Sequence, residues 1–247
     1  HTFHGHLFLN YFGKVKSALL RISERCLRQI TNQYTTVSGR LVDELLELGV
    51  VKRDRVVVIP CGIDLQRVSI GLNSEASLHE RLGVSRDHTL VGTIGRQVPI
   101  KGHGDLIAAA SIVINKIQDV SFILIGDGPL STQLRANVKN RSLEDRIFFL
   151  NSITDASHIY KDLDFFVLPS WSEGLSLTLI EAMASGVPVI ATDVGGTSDI
   201  VTEGETGILF EPRNPNDCAE KMTWALTNKG KMQQMAKKAR SNIYPTY

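Results

Sequence analysis

Two glutamates, Glu173 and Glu181, stand with seven residues between them in the stretch SWSEGLSLTLIEAMAS, residues 170–185. Just upstream, Phe165 to Pro169 is apolar throughout and reads as a short buried strand. Downstream, Ser176 to Ala184 holds good helix formers and neither Gly nor Pro. Glu173 and Gly174 then fall in the turn from strand into helix. A helix N-terminus aims free N–H groups and partial positive charge out of such a turn, where a phosphate is readily held. Glu181 lies at most on the order of 12 Å further on, roughly the reach of a nucleotide-sugar from hexose to ribose. A carboxylate accepts hydrogen bonds from paired hydroxyls, so one acid suits a sugar and the other a ribose, with helix amides on the diphosphate between them. The plain alternative is a first-turn helix charge and a solvated helix residue.

The elements that would carry these residues follow from the hydrophobic pattern. Apolar strands at Leu90 to Gly95, Phe122 to Gly126, Ile147 to Leu150, Phe165 to Pro169, Val187 to Thr192 and Ile208 to Phe210 alternate with helices. The helices are expected at about 104–117, 130–139, 154–162, 176–184, 197–202, 215–227 and 229–241. Strands apolar on both faces with helices between them predict a parallel, doubly wound, Rossmann-like sheet. Upstream lie a helix from about Lys14 to Asn32, a strand at Thr35 to Ser38, a helix from Gly39 to Leu48 and a strand at Arg55 to Ile59. The first helix has an apolar stripe, Val15, Leu19, Ile22, Cys26 and Ile30, and a basic face read as solvated. A polar stretch after Asp64 places the junction there, giving a partial N-terminal unit over 1–63 and a complete domain over 64–247. Two strands and two helices rarely stabilise themselves, so the first unit reads as the back part of a larger domain.

In an open parallel sheet, ligands bind beyond the carboxyl ends of the strands. The loops there carry Gly95, Arg96, Lys101 and Gly102 after the first strand and GDGP after the second. Glu173 and Gly174 follow the fourth and Asp193 to Gly196 the fifth. Two cations, glycine-rich turns and the glutamate pair thus share one rim. A nicotinamide site is disfavoured, because GTIGRQVPIKG and GDGPLS both lack the GxGxxG fingerprint. Asp162-Leu163-Asp164 matches a metal-binding Asp-x-Asp string but precedes its strand, at the other end of the sheet, and reads as a helix terminus and strand entry. His1, His4 and His6 lack companion carboxylates or cysteines, so no metal is assigned. His4, at a strand end, reads as a polar group facing a cleft.

Composition adds bounds. The chain has 247 residues, 43% hydrophobic, 21% charged and a net charge of +1, ordinary for a soluble protein and without a global argument for nucleic acid. Three isolated cysteines, Cys26, Cys61 and Cys218, point to a reduced, cytoplasmic setting, and no apolar run is long enough to span a membrane.

Together these pieces resemble glycosyltransferase family 4, retaining enzymes of the GT-B fold in which two Rossmann-like domains face each other across a cleft. The matching segments are TFHG; VSGRLVDELLELGV and VVVIPCGID; GTIGRQVPIKG; LIGDGP; FFLN; DFFVLPSWSEGLSLTLIEAMASGVPVIATDVGG; and ETGILFEP. Cys61, Asn151 and Asp199 depart from the family's usual Asn, Gly and Glu. The resemblance implies a nucleoside-diphosphate sugar donor and no cofactor or metal, with Arg96 and Lys101 on the diphosphate. It assigns the amides of Gly174, Leu175, Ser176 and Leu177 to the same task, Glu173 to the sugar and Glu181 to the ribose. The base falls to backbone near Asn151 and Ser152, Gly95 belongs to the nucleotide-sugar site, and His4 reaches the donor from the other domain. It implies a glycan or lipid-linked acceptor and allows peripheral attachment at the inner face of a membrane through the N-terminal domain. The expectation is that these 247 residues are a piece that binds nucleotide but transfers little sugar. A GT-B sugar-nucleotide epimerase or hydrolase, and a non-catalytic nucleotide-sugar binder, stand as alternatives.

Overall fold

The computed structural model of the protein describes residues 1–5, 13–65, 77–153, 157–244 and 246–247. Two parallel sheets organise it. The smaller joins β1 (Thr2–Phe3), β2 (Tyr34–Thr36) and β3 (Val56–Val58) in chain order, with α1 (Lys14–Leu27) and α2 (Gly39–Glu47) as crossovers. Its core gathers Phe3, Tyr34, Val37, Leu41, Leu45, Val50 and Val51. Ser38 caps α2, its hydroxyl accepting the Leu41 amide.

The larger sheet contains β4 (Thr89–Ile94), β5 (Val120–Ile125), β6 (Ile147–Leu150), β7 (Phe165–Leu168), β8 (Val189–Thr192) and β9 (Ile208–Phe210). Its order is β6-β5-β4-β7-β8-β9, all parallel. Chain order therefore reverses between β4 and β7, which opens a crevice at their carboxyl ends. The helices, after α3 (Leu78–Leu82), are α4 (His103–Lys116), α5 (Ser131–Asn140), α6 (Ser157–Tyr160), α7 (Leu177–Ala184), α8 (Thr197–Ile200), α9 (Pro215–Thr227) and α10 (Lys229–Ile243). Two apolar clusters line the sheet, one containing α4 and α9 residues and the other residues of α7 and α10. Strands β5, β7 and β8 are buried at every position, which is why they read as unbroken apolar runs.

Three local expectations change. Helix α1 stops at Leu27 rather than Asn32, and the chain turns through hydrogen bonds from Ile30 and Thr31 back to the Leu27 carbonyl. None of its residues is buried, and Val15, Leu19, Ile22 and Ile30 are exposed. Helix α6 ends at Tyr160, where the Asp162 amide closes on Ile159; the expected start at 154 falls outside the described residues. Finally, the loop after β4 includes a 3-10 turn at Pro99–Lys101, which no pattern indicated. The Asp-x-Asp string is structural as read. Asp164 accepts the Leu90 amide at 2.8 Å and Asp162 the Leu78 amide at 2.8 Å, tying strand and helix starts together.

Candidate functional site

At the β4–β7 crevice the chain places an acid and a base in contact. Lys101 Nζ lies 2.6 Å from Glu173 Oε1, and the Ser170 hydroxyl donates to the same oxygen at 2.6 Å. The Glu173 side chain is 9% exposed and the Lys101 side chain 29%. Ser170 is itself buried, and its carbonyl accepts the Thr192 hydroxyl at 2.7 Å, so β8 steadies the loop that follows β7. Both described contacts of Glu173 use one oxygen; among the described residues nothing takes Oε2.

Backbone approaches explain the glycines. Gly102 has φ +64°, and a Cβ there would stand 1.9 Å from the Pro169 carbonyl oxygen. The turn bearing Lys101 is thereby pressed onto the end of β7. It is riveted there by Trp171, whose amide donates to the Ile100 carbonyl at 2.7 Å and whose indole donates to Asp105 at 2.6 Å. The Arg213 guanidinium covers the Trp171 ring at 4.4 Å. Gly174 plays the same part between the sheets: a Cβ on it would stand 1.9 Å from the His4 carbonyl oxygen.

Helix α7 starts three residues after Gly174. Ser176 caps it by accepting the Leu179 amide. Among the described residues no acceptor takes the amide protons of Gly174, Leu175, Ser176 or Leu177. These donors lie next in sequence to the Glu173–Lys101 pair, and free amides at a helix start can hold an anion.

Further along α7, Glu181 is half-buried, and Oε2 accepts the Tyr160 hydroxyl at 2.8 Å. Burial, then the neighbouring Glu181 charge, pushes the Tyr160 phenol well above its ordinary pKa, so it stays a donor. Beyond β4 and β5 a pocket of about 290 Å³ is walled by Ile94, Ile125 and Ile153 with Gly95, Arg96, Gly126, Asp127 and Ser152. The Ser152 amide donates to Asp127 at 2.6 Å, and that bond, with the Ser152 hydroxyl, holds the Asp127 carboxyl below the usual carboxylate range. Asn151 is exposed next to this pocket rather than part of its wall.

Arg96 is exposed on the rim, without a side-chain partner among the described residues, while its carbonyl accepts from His103 Nε2 at 3.2 Å. His4 is exposed beside Gly174, on the small sheet's side of the crevice. His1 lies apart from these residues, stacked on Phe3 with centroids 4.4 Å apart, and His6 lies outside the described residues. The structure thus links Gly95, Lys101 and Glu173 by contact, puts Arg96 and Ser152 in the wall of the adjoining pocket and sets His4 against Gly174, while Glu181 lies further along α7 against Tyr160. Sequence reasoning missed Ser170, Trp171 and Tyr160, which hold the acids and the lysine turn, and Arg40. Arg40 Nη1 lies 2.8 Å from Asp193 and 2.6 Å from the Ser198 hydroxyl, and its amide donates to Asp199 at 3.1 Å. Only the adjacency of Ser170 and Trp171 to Glu173 was a signal; Tyr160 and Arg40 carry none short of the fold.

Comparison with known proteins identifies the family. The chain is 29% identical over 213 residues to N-acetyl-alpha-D-glucosaminyl L-malate synthase of Bacillus anthracis, covering 86% of this chain and 55% of that protein. It is 28% identical over 214 residues to UDP-Gal:alpha-D-GlcNAc-diphosphoundecaprenol alpha-1,3-galactosyltransferase of Escherichia coli, covering 85% and 55%. The chain spans about half the length of the curated relatives it matches. Its fold matches Anabaena HepE in complex with UDP and glucose, with a TM-score of 0.86 at 22% identity, over 100% of this chain and 67% of that one. Residues 1–67 match the model of Glycosyltransferase Family 4. Residues 74–242, which hold the larger sheet and both glutamates, match the model of glycosyl transferases group 1, and the chain belongs to that family, with a fold of the GT-B type.

Proposed function

We propose that this chain is the donor-binding part of a retaining, metal-independent glycosyltransferase that moves a sugar from a nucleoside-diphosphate sugar to a glycan or lipid-linked acceptor. In this reading residues 1–63 form the acceptor side and 64–247 the donor side. One observation carries it: Lys101 and Glu173 meet at 2.6 Å at the crevice, next to four amides that no described group claims. The E. coli relative's name supports the substrate class, since it specifies UDP-Gal and a diphosphoundecaprenol-linked acceptor.

The chemistry follows from charge. As the bond between the sugar's C1 and the diphosphate oxygen breaks, its electron pair goes to the diphosphate. Lys101, Arg96 and the amides of Gly174 to Leu177 stabilise that growing negative charge, so no metal is invoked. The acceptor hydroxyl forms the new bond to C1 and passes its proton to the departing diphosphate oxygen. Glu173 Oε2 takes sugar hydroxyls, Glu181 the ribose hydroxyls, and the pocket beside Gly95 and Ser152 the base. His4 approaches the sugar from the other sheet.

The test is calorimetric titration of the chain with UDP, GDP and ADP. One of them should bind, and Lys101→Ala should weaken it at least about tenfold, the scale of one charge-assisted hydrogen bond. Failure of all three to bind the wild-type chain would end this reading.

A further inference from the structure

Tyr160 is an unusual way to fill a core. Its side chain is wholly buried, packed edge-on against Phe166 of β7 with ring centroids 5.9 Å apart. A phenylalanine would satisfy the same space without a polar atom to pair. The hydroxyl is nevertheless present, and it donates at 2.8 Å to a carboxylate that is only half-buried. The two residues come from different crossovers, Tyr160 from the one between β6 and β7 and Glu181 from the helix after β7. Glu181 lies four residues past the start of α7, about 6 Å along the axis from its N-terminus.

A glutamate side chain has three torsions, and holding each one fixed costs conformational entropy. A buried aromatic ring has almost none of that freedom. A hydrogen bond from such a ring therefore transfers the rigidity of the core to one oxygen of the carboxylate. Ser170, equally buried, does the same for Glu173 from the loop after β7. Glu173 and Glu181 thus each accept a hydrogen bond from a buried hydroxyl.

Resting on the nucleotide-sugar reading above, we infer that Tyr160 is a positioning residue that fixes the Glu181 carboxylate for the two ribose hydroxyls of the donor. The phenol touches no ligand. It sets the carboxylate's angle so that a vicinal diol can donate to it, and ribose recognition depends on it.

The experiment uses the whole 247-residue chain. The nucleoside diphosphate that binds most tightly in the titration above is compared with its 2′,3′-dideoxy counterpart, on wild type and on Tyr160→Phe. Wild type should prefer the ribonucleotide at least about tenfold, as expected for hydrogen bonds to a charged acceptor. Tyr160→Phe should cut that preference to about threefold or less, while binding the dideoxy compound within about twofold of wild type. A variant that keeps the full preference overturns the inference and leaves the site reading intact. A wild-type chain that binds both compounds equally overturns the role of Glu181 and this inference with it. Should Tyr160→Phe not fold, 4-fluorophenylalanine at 160 nearly keeps the volume of tyrosine but removes the donor; an unchanged ribose preference there would also overturn it.

Discussion

Glu173 gives one oxygen to the protein and keeps the other for the crevice, and the groups behind it are arranged to hold that division. Lys101 and Ser170 converge on Oε1, and Lys101 is carried by a three-residue turn that ends against α4. The first residue of α4, His103, is 2% exposed and supports this turn from below through Nε2 on the Arg96 carbonyl. Its Nδ1 is buried and, among the described residues, without a partner, and burial pulls the ring's pKa from 6.5 down to about 4, with Lys101 adding and the Arg96 carbonyl opposing. A neutral ring also suits a helix N-terminus, where a cation would be repelled. The unfolded chain binds a proton at this histidine below about 6.5, whereas the folded chain does not until about 4. Stability from this group is therefore complete above pH 6.5 and lost as pH falls toward 4, by about 3 kcal/mol in all. Urea unfolding at pH 7 and pH 4.5 should show the drop in wild type and a smaller one in His103→Gln.

At the scale of elements, the site depends on turns that have no room for a side chain. Gly102 and Gly104 are two residues apart and make opposite predictions. Gly102→Ala meets both a left-handed backbone and the Pro169 carbonyl, so the Lys101 turn must lift off β7. A loss of at least about 3 kcal/mol is expected, together with weaker nucleotide binding. Gly104 sits inside α4 with open space around its Cβ, and Gly104→Ala should gain up to about 1 kcal/mol. Thermal unfolding of the two variants separates strain from propensity. These turns also mark where the sequence was legible. All six strands of the larger sheet follow from apolar runs such as FFVL and VSFILI, because both faces of those strands are covered. The end of α1 was missed because no Gly or Pro follows Leu27 and Ile30 continues the stripe. The 3-10 turn at Pro99–Lys101 is too short for any period to show. The pairing of Tyr160 with Glu181 was invisible for another reason: it depends on how two crossovers pack, which no local pattern encodes.

At the scale of the whole molecule, the described residues join the two sheets through close backbone approaches, Leu175 packed on the smaller core and an ionic clasp. Gly5 lies against Gly174, and a Cβ on Gly196 would stand 2.8 Å from the Ser38 Cβ. Around these contacts Arg40 of α2 reaches Asp193 and Ser198, while Asp199 receives the amide at the start of α2. The clasp is half exposed, with 42% and 47% of the Arg40 and Asp193 side chains accessible, so its direct worth is at most about 1 kcal/mol and salt should screen it. Its leverage is geometric. The segment it holds includes Gly195, which has φ +46° and whose Cβ, if present, would stand 1.8 Å from the Glu173 carbonyl oxygen. Releasing Asp193 thus frees the backbone that supports Glu173, even though no contact of the carboxylate is touched. Arg40→Ala and Asp193→Asn should each shift the melting temperature by only a few degrees, and together by little more than either alone. Nucleotide affinity should fall several-fold in both at low salt. In 0.5 M salt, where the wild-type clasp is itself weakened, the gap between wild type and variants should close. If the variants bind nucleotide as tightly as wild type at low salt, Arg40 is a surface charge without influence on the crevice, and a gap that persists unchanged in 0.5 M salt would show that its influence is not ionic.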